Sequence, residues 1–191
     1  MADLLGMDPA RIGRLRSPER LEYFDPAKIW PVLAPAPDCT LVDIGAGVGF
    51  LTLPFAKAYP GAKVYGCDIL EGMVGLLAED AAAQGLDNLQ ALLMRPNAVP
   101  LPDGCADLIV MAQLHHELDE PEALMVECRR LAAPGGTVAV VDWTDADNGR
   151  SPAAGRRVPE ATIRAHLSDA GFAEIESHEI YEFHQFLTGR A

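Results

Sequence analysis

"TLVDIGAGVGF", residues 40–50, decides how the chain is read. A short apolar run, Thr40 to Ile44, carries one acid, Asp43, and is followed by glycines at 45, 47 and 49. The run has the composition of a buried strand. Glycine lets the loop beyond it take positive φ and come close to a ligand. A helix opening there adds unpaired N–H groups. The spacing is G-x-G-x-G. It does not meet the dinucleotide fingerprint G-x-G-x-x-G, because Phe50 stands where the third glycine belongs. No G-K-[ST] motif is present, so a phosphate loop is excluded. A carboxylate at Asp43 would repel a pyrophosphate and suits a cationic ligand.

Outward from this loop the chain alternates. "FLTLPFAKAY" (50–59) reads as a helix, with Pro54 tolerated near its first turn. "KVYGCD" (63–68) is a second strand. "EGMVGLLAEDAAAQG" places Met73, Leu76, Leu77 and Ala81 on one helical face, and Gly85 stops it. "LQALLM" (89–94) is a third strand, "RPNAVPLPDG" (95–104) a proline-rich loop, and "ADLIVMA" (106–112) a fourth strand. Leu124, Cys128 and Leu131 line a helix over about 120–133, which "PGG" (134–136) should end, and "TVAVVDW" (137–143) is a fifth strand. This order predicts a parallel sheet with helices on both faces.

The flanks differ. Residues 1–40 form a helical preface in which Ser17 and Asp25 each precede a proline as capping residues, and "APAPD" (34–38) breaks it. After a polar loop, "DADNGRSPAAGRR" (145–157), a helix over 159–170 turns Ile163, Leu167 and Ala170 inward and stops at Gly171. "AEIESHEI" and "YEFHQFLTG" come next with little between them, which implies antiparallel pairing. The expected architecture is α/β: a doubly wound, mostly parallel seven-stranded sheet with an antiparallel C-terminal hairpin. It is expected as one domain, 1–191, with an N-terminal helical cap over 1–37 and the core over 38–191.

Bulk properties narrow the partners. The 191 residues are 49% hydrophobic and 23% charged, enough for a sizeable core. A net charge of −13 argues against nucleic acid and against anionic membranes. The start, "MADLLGMDPARIGRL", lacks the apolar core of a signal peptide, and no run nears the roughly 18 apolar residues of a spanning helix. The four cysteines, at 39, 67, 105 and 128, are far apart and are expected as structural thiols in a reduced, cytoplasmic protein. A homodimer is left open.

The combination D-x-G-x-G-x-G, with Asp68 ending the next strand in "VYGCDIL" (64–70), resembles motif I and its sequel in class I S-adenosylmethionine-dependent methyltransferases. "PLPDGCADLIVMAQLHHEL" and "RLAAPGGTVAVVD" are similar to the later motifs of the type 11, ubiquinone/menaquinone-methyltransferase-like branch. The resemblance covers roughly residues 38–172. It implies a Rossmann-like sheet, S-adenosylmethionine as cofactor and a small-molecule methyl acceptor. On it, Asp43 attracts the α-ammonium, directly or through water. The backbone of Gly45, Ala46, Gly47 and Gly49 lies against the methionine part. Asp68 accepts from both ribose hydroxyls, Ile69 covers the adenine face, and the Ala112 carbonyl faces the ammonium. The family's usual acid after the third strand is missing. Asn97 is the better chemical match than Arg95 for the adenine amino group, with the Ala98 N–H for a ring nitrogen.

Catalysis of methyl transfer is mainly positioning, with deprotonation of the acceptor where its nucleophile carries a proton. In the similar proteins the residues after Ala112 border the methyl. His115 and His116 are therefore the candidate bases, with Glu117 to orient one of them, and Asp142 and Trp143 end a strand at the same edge. No metal is expected from "HHE", since adjacent histidines do not share a helix face. Two other readings compete: a non-catalytic S-adenosylmethionine-binding module of the same fold, and a nicotinamide-dependent oxidoreductase, which the glycine spacing disfavours. The acceptor is not legible.

Overall fold

The computed structural model describes residues 8–146 and 149–191. The first seven residues of the opening stretch, and Asp147 and Asn148 of the polar loop, lie outside them. The strands form a seven-stranded sheet in the order β3-β2-β1-β4-β5-β7-β6. This is the Rossmann-like, mostly parallel arrangement expected, with its antiparallel C-terminal pair. Two compact units divide between Pro100 and Leu101.

In the first unit, α1 (Pro9–Arg16) starts on Asp8, whose carboxylate accepts from the Ala10 N–H. Ser17 and Asp25 act as caps, as expected. The elements they open are short 3-10 turns, Pro18–Glu22 and Pro26–Lys28, rather than longer helices. The one-turn α2 (Trp30–Leu33) ends at Ala34 in the left-handed region. β1 (Thr40–Ile44), β2 (Lys63–Asp68) and β3 (Leu89–Leu93) are parallel, in the register Asp43↔Gly66 and Gly66↔Ala91. α3 (Thr52–Ala58) begins two residues later than expected, because Phe50 and Leu51 complete the glycine turn. Pro54 is then its third residue, where no intrahelical N–H is required. α4 (Glu71–Ala83) buries Met73, Leu77 and Ala81 and ends ahead of Gly85 at φ 65°.

In the second unit, β4 (Ala106–Ala112) pairs in parallel with β5 (Ala132–Trp143), and β5 pairs antiparallel with β7 (His184–Arg190), which also pairs with β6 (Ala173–Ser177). α5 is shorter than expected, Pro121–Leu131, and "PGG" lies inside β5 rather than at a helix stop. Ala132 already has extended backbone, so the strand starts at once and runs past Ala106. A Cβ on Gly136 would sit 2.8 Å from the Ala106 carbonyl oxygen, so a side chain there would block that approach. α6 (Glu160–Asp169) stops ahead of Gly171 at φ 92°. β6 and β7 are separated by residues 178–183, a longer connection than the sequence suggested. Among the described residues, no helix is long and apolar enough to cross a membrane.

The layers of the first unit close through glycine. A Cβ on Gly49 would meet the Leu77 Cδ1 atom at 2.5 Å and the Leu53 Cγ atom at 2.9 Å, at a φ of +78°. One on Gly66 would meet Leu77 Cδ2 at 2.4 Å. Gly49→Ala is therefore expected to cost about 2–4 kcal/mol, combining left-handed strain with overpacking. Urea unfolding measures it, and Leu77→Val in the same chain should recover part of the loss.

Candidate functional site

The glycine loop is built on β1 and β2. The N–H groups of Gly45 and Ala46 both donate to the Cys67 carbonyl, at 2.8 and 3.0 Å, which turns the chain away from the sheet. Gly45, Gly47 and Gly49 all have positive φ. Gly49 serves packing against Leu77 and Leu53. Gly47 does not: among the described residues a Cβ there would meet nothing within 4 Å. Its φ of +53° makes a side chain there strained, and the open space beyond it is room for a ligand.

Asp68 closes the loop from the next strand. One carboxylate oxygen accepts from the Gly47 N–H and the other from the Leu70 N–H, both at 2.9 Å. Each oxygen keeps a lone pair for a further donor. Beside it Ile69 is 52% exposed, an apolar face next to a hydrogen-bonding carboxylate. Burial raises the Asp68 carboxyl above the ordinary range, while the amides of Leu70, Gly47 and Ile69 and the charge of Arg11 hold it down. A ribose-and-adenine group with its attached amino acid fits this cradle: open space at Gly47, an acceptor pair at Asp68 and a flat apolar surface at Ile69.

Asp43 is different. It is 2% exposed, and its carboxylate accepts from the Thr52 hydroxyl. Burial pushes its carboxyl up to about 7, the Asp68 charge adds to the rise, and the Thr52 hydrogen bond opposes it.

The turn after β3 corrects one expectation. Arg95 and Ala98 exchange both backbone hydrogen bonds, each at 3.1 Å, with Asn97 between them at φ 57°. The Ala98 N–H expected to face adenine is therefore spent on Arg95. The turn still adjoins the loop, since the Met94 N–H donates to the Asp68 carbonyl.

In the second unit a polar cluster forms where β4 and β5 end. β4 stops at Ala112, Gln113 turns at φ 55°, and a 3-10 turn covers His115–Glu117. Asp142, fully buried, receives three N–H groups: the His116 backbone at 2.8 Å, the His116 Nδ1 at 2.7 Å and the Trp143 backbone at 2.7 Å. An ionised carboxylate only accepts, so His116 carries a proton on Nδ1, and the lone pair of its neutral form is on Nε2. Asp142 therefore takes the orienting role that the sequence suggested for Glu117, whose carboxylate lies 3.9 Å from Nε2.

His115 is locked instead. Its Nε2 shares one hydrogen with Nδ1 of His166 at 3.1 Å, the rings stack, and its Nδ1 is buried with no hydrogen-bond partner. Burial pushes its imidazole down to about 4, with Asp142 opposing. Trp143 lies against the His184 ring, 4.2 Å between centroids. In the N-terminal segment Phe24 and Trp30 are buried: Trp30 packs edge-on to Phe55 and Phe24 stacks with Phe50. Thr52 and His166 carry no signal in the sequence. Neither lies in a motif, and each is brought to its partner only by helix packing. Among the described residues no group of His, Cys, Asp and Glu could hold a metal ion.

Residues 42–140 match the family model described as a methyltransferase domain. The chain belongs to this family. A SAM-dependent methyltransferase from Aquifex aeolicus, solved by crystallography, superposes with a TM-score of 0.90 at 32% identity, over 96% of this chain and 98% of that one. A demethylmenaquinone methyltransferase of Thermus thermophilus is 31% identical over 103 residues, 54% of this chain and 46% of its own. A ubiquinone/menaquinone biosynthesis C-methyltransferase of Burkholderia cenocepacia is 32% identical over 109 residues, 56% of this chain and 44% of its own. The match thus spans less than half the length of these curated methyltransferases. The fold also recurs in the [4+2]-cyclase SpnF, with a TM-score of 0.76 at 18% identity, over 86% of this chain and 78% of that one.

The locked His115 has a measurable signature. A histidine held neutral by burial contributes stability above its unfolded pKa of 6.5, and loses it as pH falls toward 4. The stability gap between the wild type and His115→Gln is expected to shrink by about 2–3 kcal/mol from pH 7 to 4.5. Urea unfolding at the two pH values checks this; a gap independent of pH contradicts it.

Proposed function

We propose that the chain is an S-adenosylmethionine-dependent methyltransferase acting on a small-molecule acceptor. The observation that carries this reading is the glycine loop pinned by Asp68, with open space at Gly47 and exposed Ile69 beside it. The Aquifex relative, alike over nearly its whole length, supports it. Bound S-adenosylmethionine supplies a methyl group on a sulfonium, open to in-line displacement.

The residues divide the work between cofactor and acceptor. Asp68 holds the ribose hydroxyls, and Ile69 covers the adenine. Asn97 is the side-chain partner for the adenine amino group, and Ala98 contributes only to its turn. Gly45, Ala46, Gly47 and Gly49 shape the wall for the methionine part. Asp43 attracts the ammonium. On the acceptor side, His116 is the base: its Nε2 lone pair is fixed by Asp142 and flanked by Glu117. His115 supports the turn that carries His116, since both its nitrogens are enclosed.

Calorimetry with S-adenosylhomocysteine tests the cofactor, and a panel of acceptors tests the transfer. Demethylmenaquinone, from the name of the Thermus relative, is a first compound to include in its reduced form. Asp68→Ala is expected to weaken S-adenosylhomocysteine by about 1–3 kcal/mol, through loss of a charged acceptor. Unchanged affinity would remove the ribose from Asp68. His116→Ala should lower turnover by about 100-fold or more and leave cofactor affinity within a few-fold. Equal activity would assign His116 to structure.

A further inference from the structure

We propose that Thr52 is a positioning residue for the cofactor: its hydroxyl holds Asp43 in either protonation state, so that capture of the cofactor's ammonium expels a proton from Asp43. The inference rests on the proposed cofactor and deepens that reading.

Two acids end adjacent parallel strands, and their surroundings differ in kind. Asp68 is held by backbone N–H groups from Gly47 and Leu70. A backbone N–H can only donate, so this shell favours the carboxylate and offers no acceptor for the O–H of a carboxylic acid. Asp43 is 2% exposed and is held by the Thr52 hydroxyl at 2.5 Å. A hydroxyl donates to a carboxylate and accepts from a carboxylic acid by rotating one hydrogen. Thr52 therefore serves both forms without moving a heavy atom. Among the described residues no ion pair is formed with Asp43, and the charged group set against it is Asp68, which carries the same sign.

A buried carboxyl beside a like charge, without a cation, keeps its proton more readily than an exposed one. The rise to about 7 agrees with this geometry. An incoming ammonium reverses the balance, because it supplies the missing opposite charge. The exchange is balanced: the Asp43 carboxylic acid becomes a carboxylate paired with the ammonium, and its proton goes to solvent. Binding is then linked to pH. Affinity is lower where Asp43 is protonated and rises as it ionises. The loop glycines and the Asp68 amides take no part in this linkage. Thr52 enters it because the hydrogen bond it donates to the charged carboxylate is stronger than the one it accepts from the neutral acid, so its loss disfavours the carboxylate more.

The test needs no acceptor. S-Adenosylhomocysteine is titrated into the full chain in buffers of different ionisation enthalpy at pH 6 and 8. The expected result is release of most of one proton at pH 6, little at pH 8, and an affinity about 10-fold higher at pH 8. Asp43→Asn should abolish the release and flatten the pH dependence. Thr52→Val, close in volume, should weaken binding at pH 7 and move the release to higher pH, and Thr52→Ser should restore it. A purely packing role for Thr52 would lower the melting temperature without moving the proton release, and that result overturns the assignment. Binding without proton release at pH 6 overturns the inference and leaves the cofactor reading intact. Absence of binding overturns both.

Discussion

The first unit depends on two of the hydrogen bonds that Asp68 accepts. One fixes the Gly47 N–H and the other the Leu70 N–H, so a single carboxylate sets the glycine loop against the entry to α4. The rest of the geometry is dictated by that connection. The loop must turn sharply enough for its amides to reach a neighbouring strand, which demands positive φ at Gly45, Gly47 and Gly49. α4 must then lie close enough for Leu77 to fill the space above Gly49 and Gly66, which forbids a Cβ at either. A loop so constrained presents a fixed surface at Gly47, and a ligand does not have to order it on arrival.

The second unit solves the same problem with a different donor set. Asp142 is fully buried and gathers three N–H groups, two of them from His116. Charge-assisted hydrogen bonds of this kind tolerate burial where a lone carboxylate would not. The cluster fixes both the backbone and the ring of His116, and so chooses its tautomer. Neighbouring His115 goes the other way: one nitrogen is committed to His166 and the other is sealed. Two adjacent residues of one type thus become different chemical groups, because their side chains leave the turn in opposite environments.

Much of this is legible in the sequence, for identifiable reasons. β1, β2 and β4 are written as short apolar runs whose bounds the structure reproduces, since buried parallel strands admit little polarity on either face. The glycine spacing and Asp68 are readable because a loop's conformational demands fall on consecutive residues. The α5–β5 junction misleads, because proline and two glycines signal a stop without specifying the next element. Ala132 continues directly into a strand, and Gly136 serves close approach to Ala106. Thr52 and His166 are invisible for another reason. Each acts on a residue nine or more positions away through packing, and no local pattern records that distance.

The fold alone does not decide the chemistry. A cyclase shares it at 18% identity, so the sheet and its order are compatible with a reaction other than methyl transfer. What separates these possibilities lies in the side chains around the cradle. A site built only to bind a neutral nucleoside would need Asp68 and Ile69, and would gain nothing from a second buried acid. Asp43 costs stability through its burial and is compensated by one hydroxyl. Such a cost is commonly retained where a ligand supplies the missing partner. A ligand that did so would carry a positive charge beside a sugar and a base, and that combination, more than the glycines, is what favours a sulfonium cofactor with its amino acid tail over a pyrophosphate.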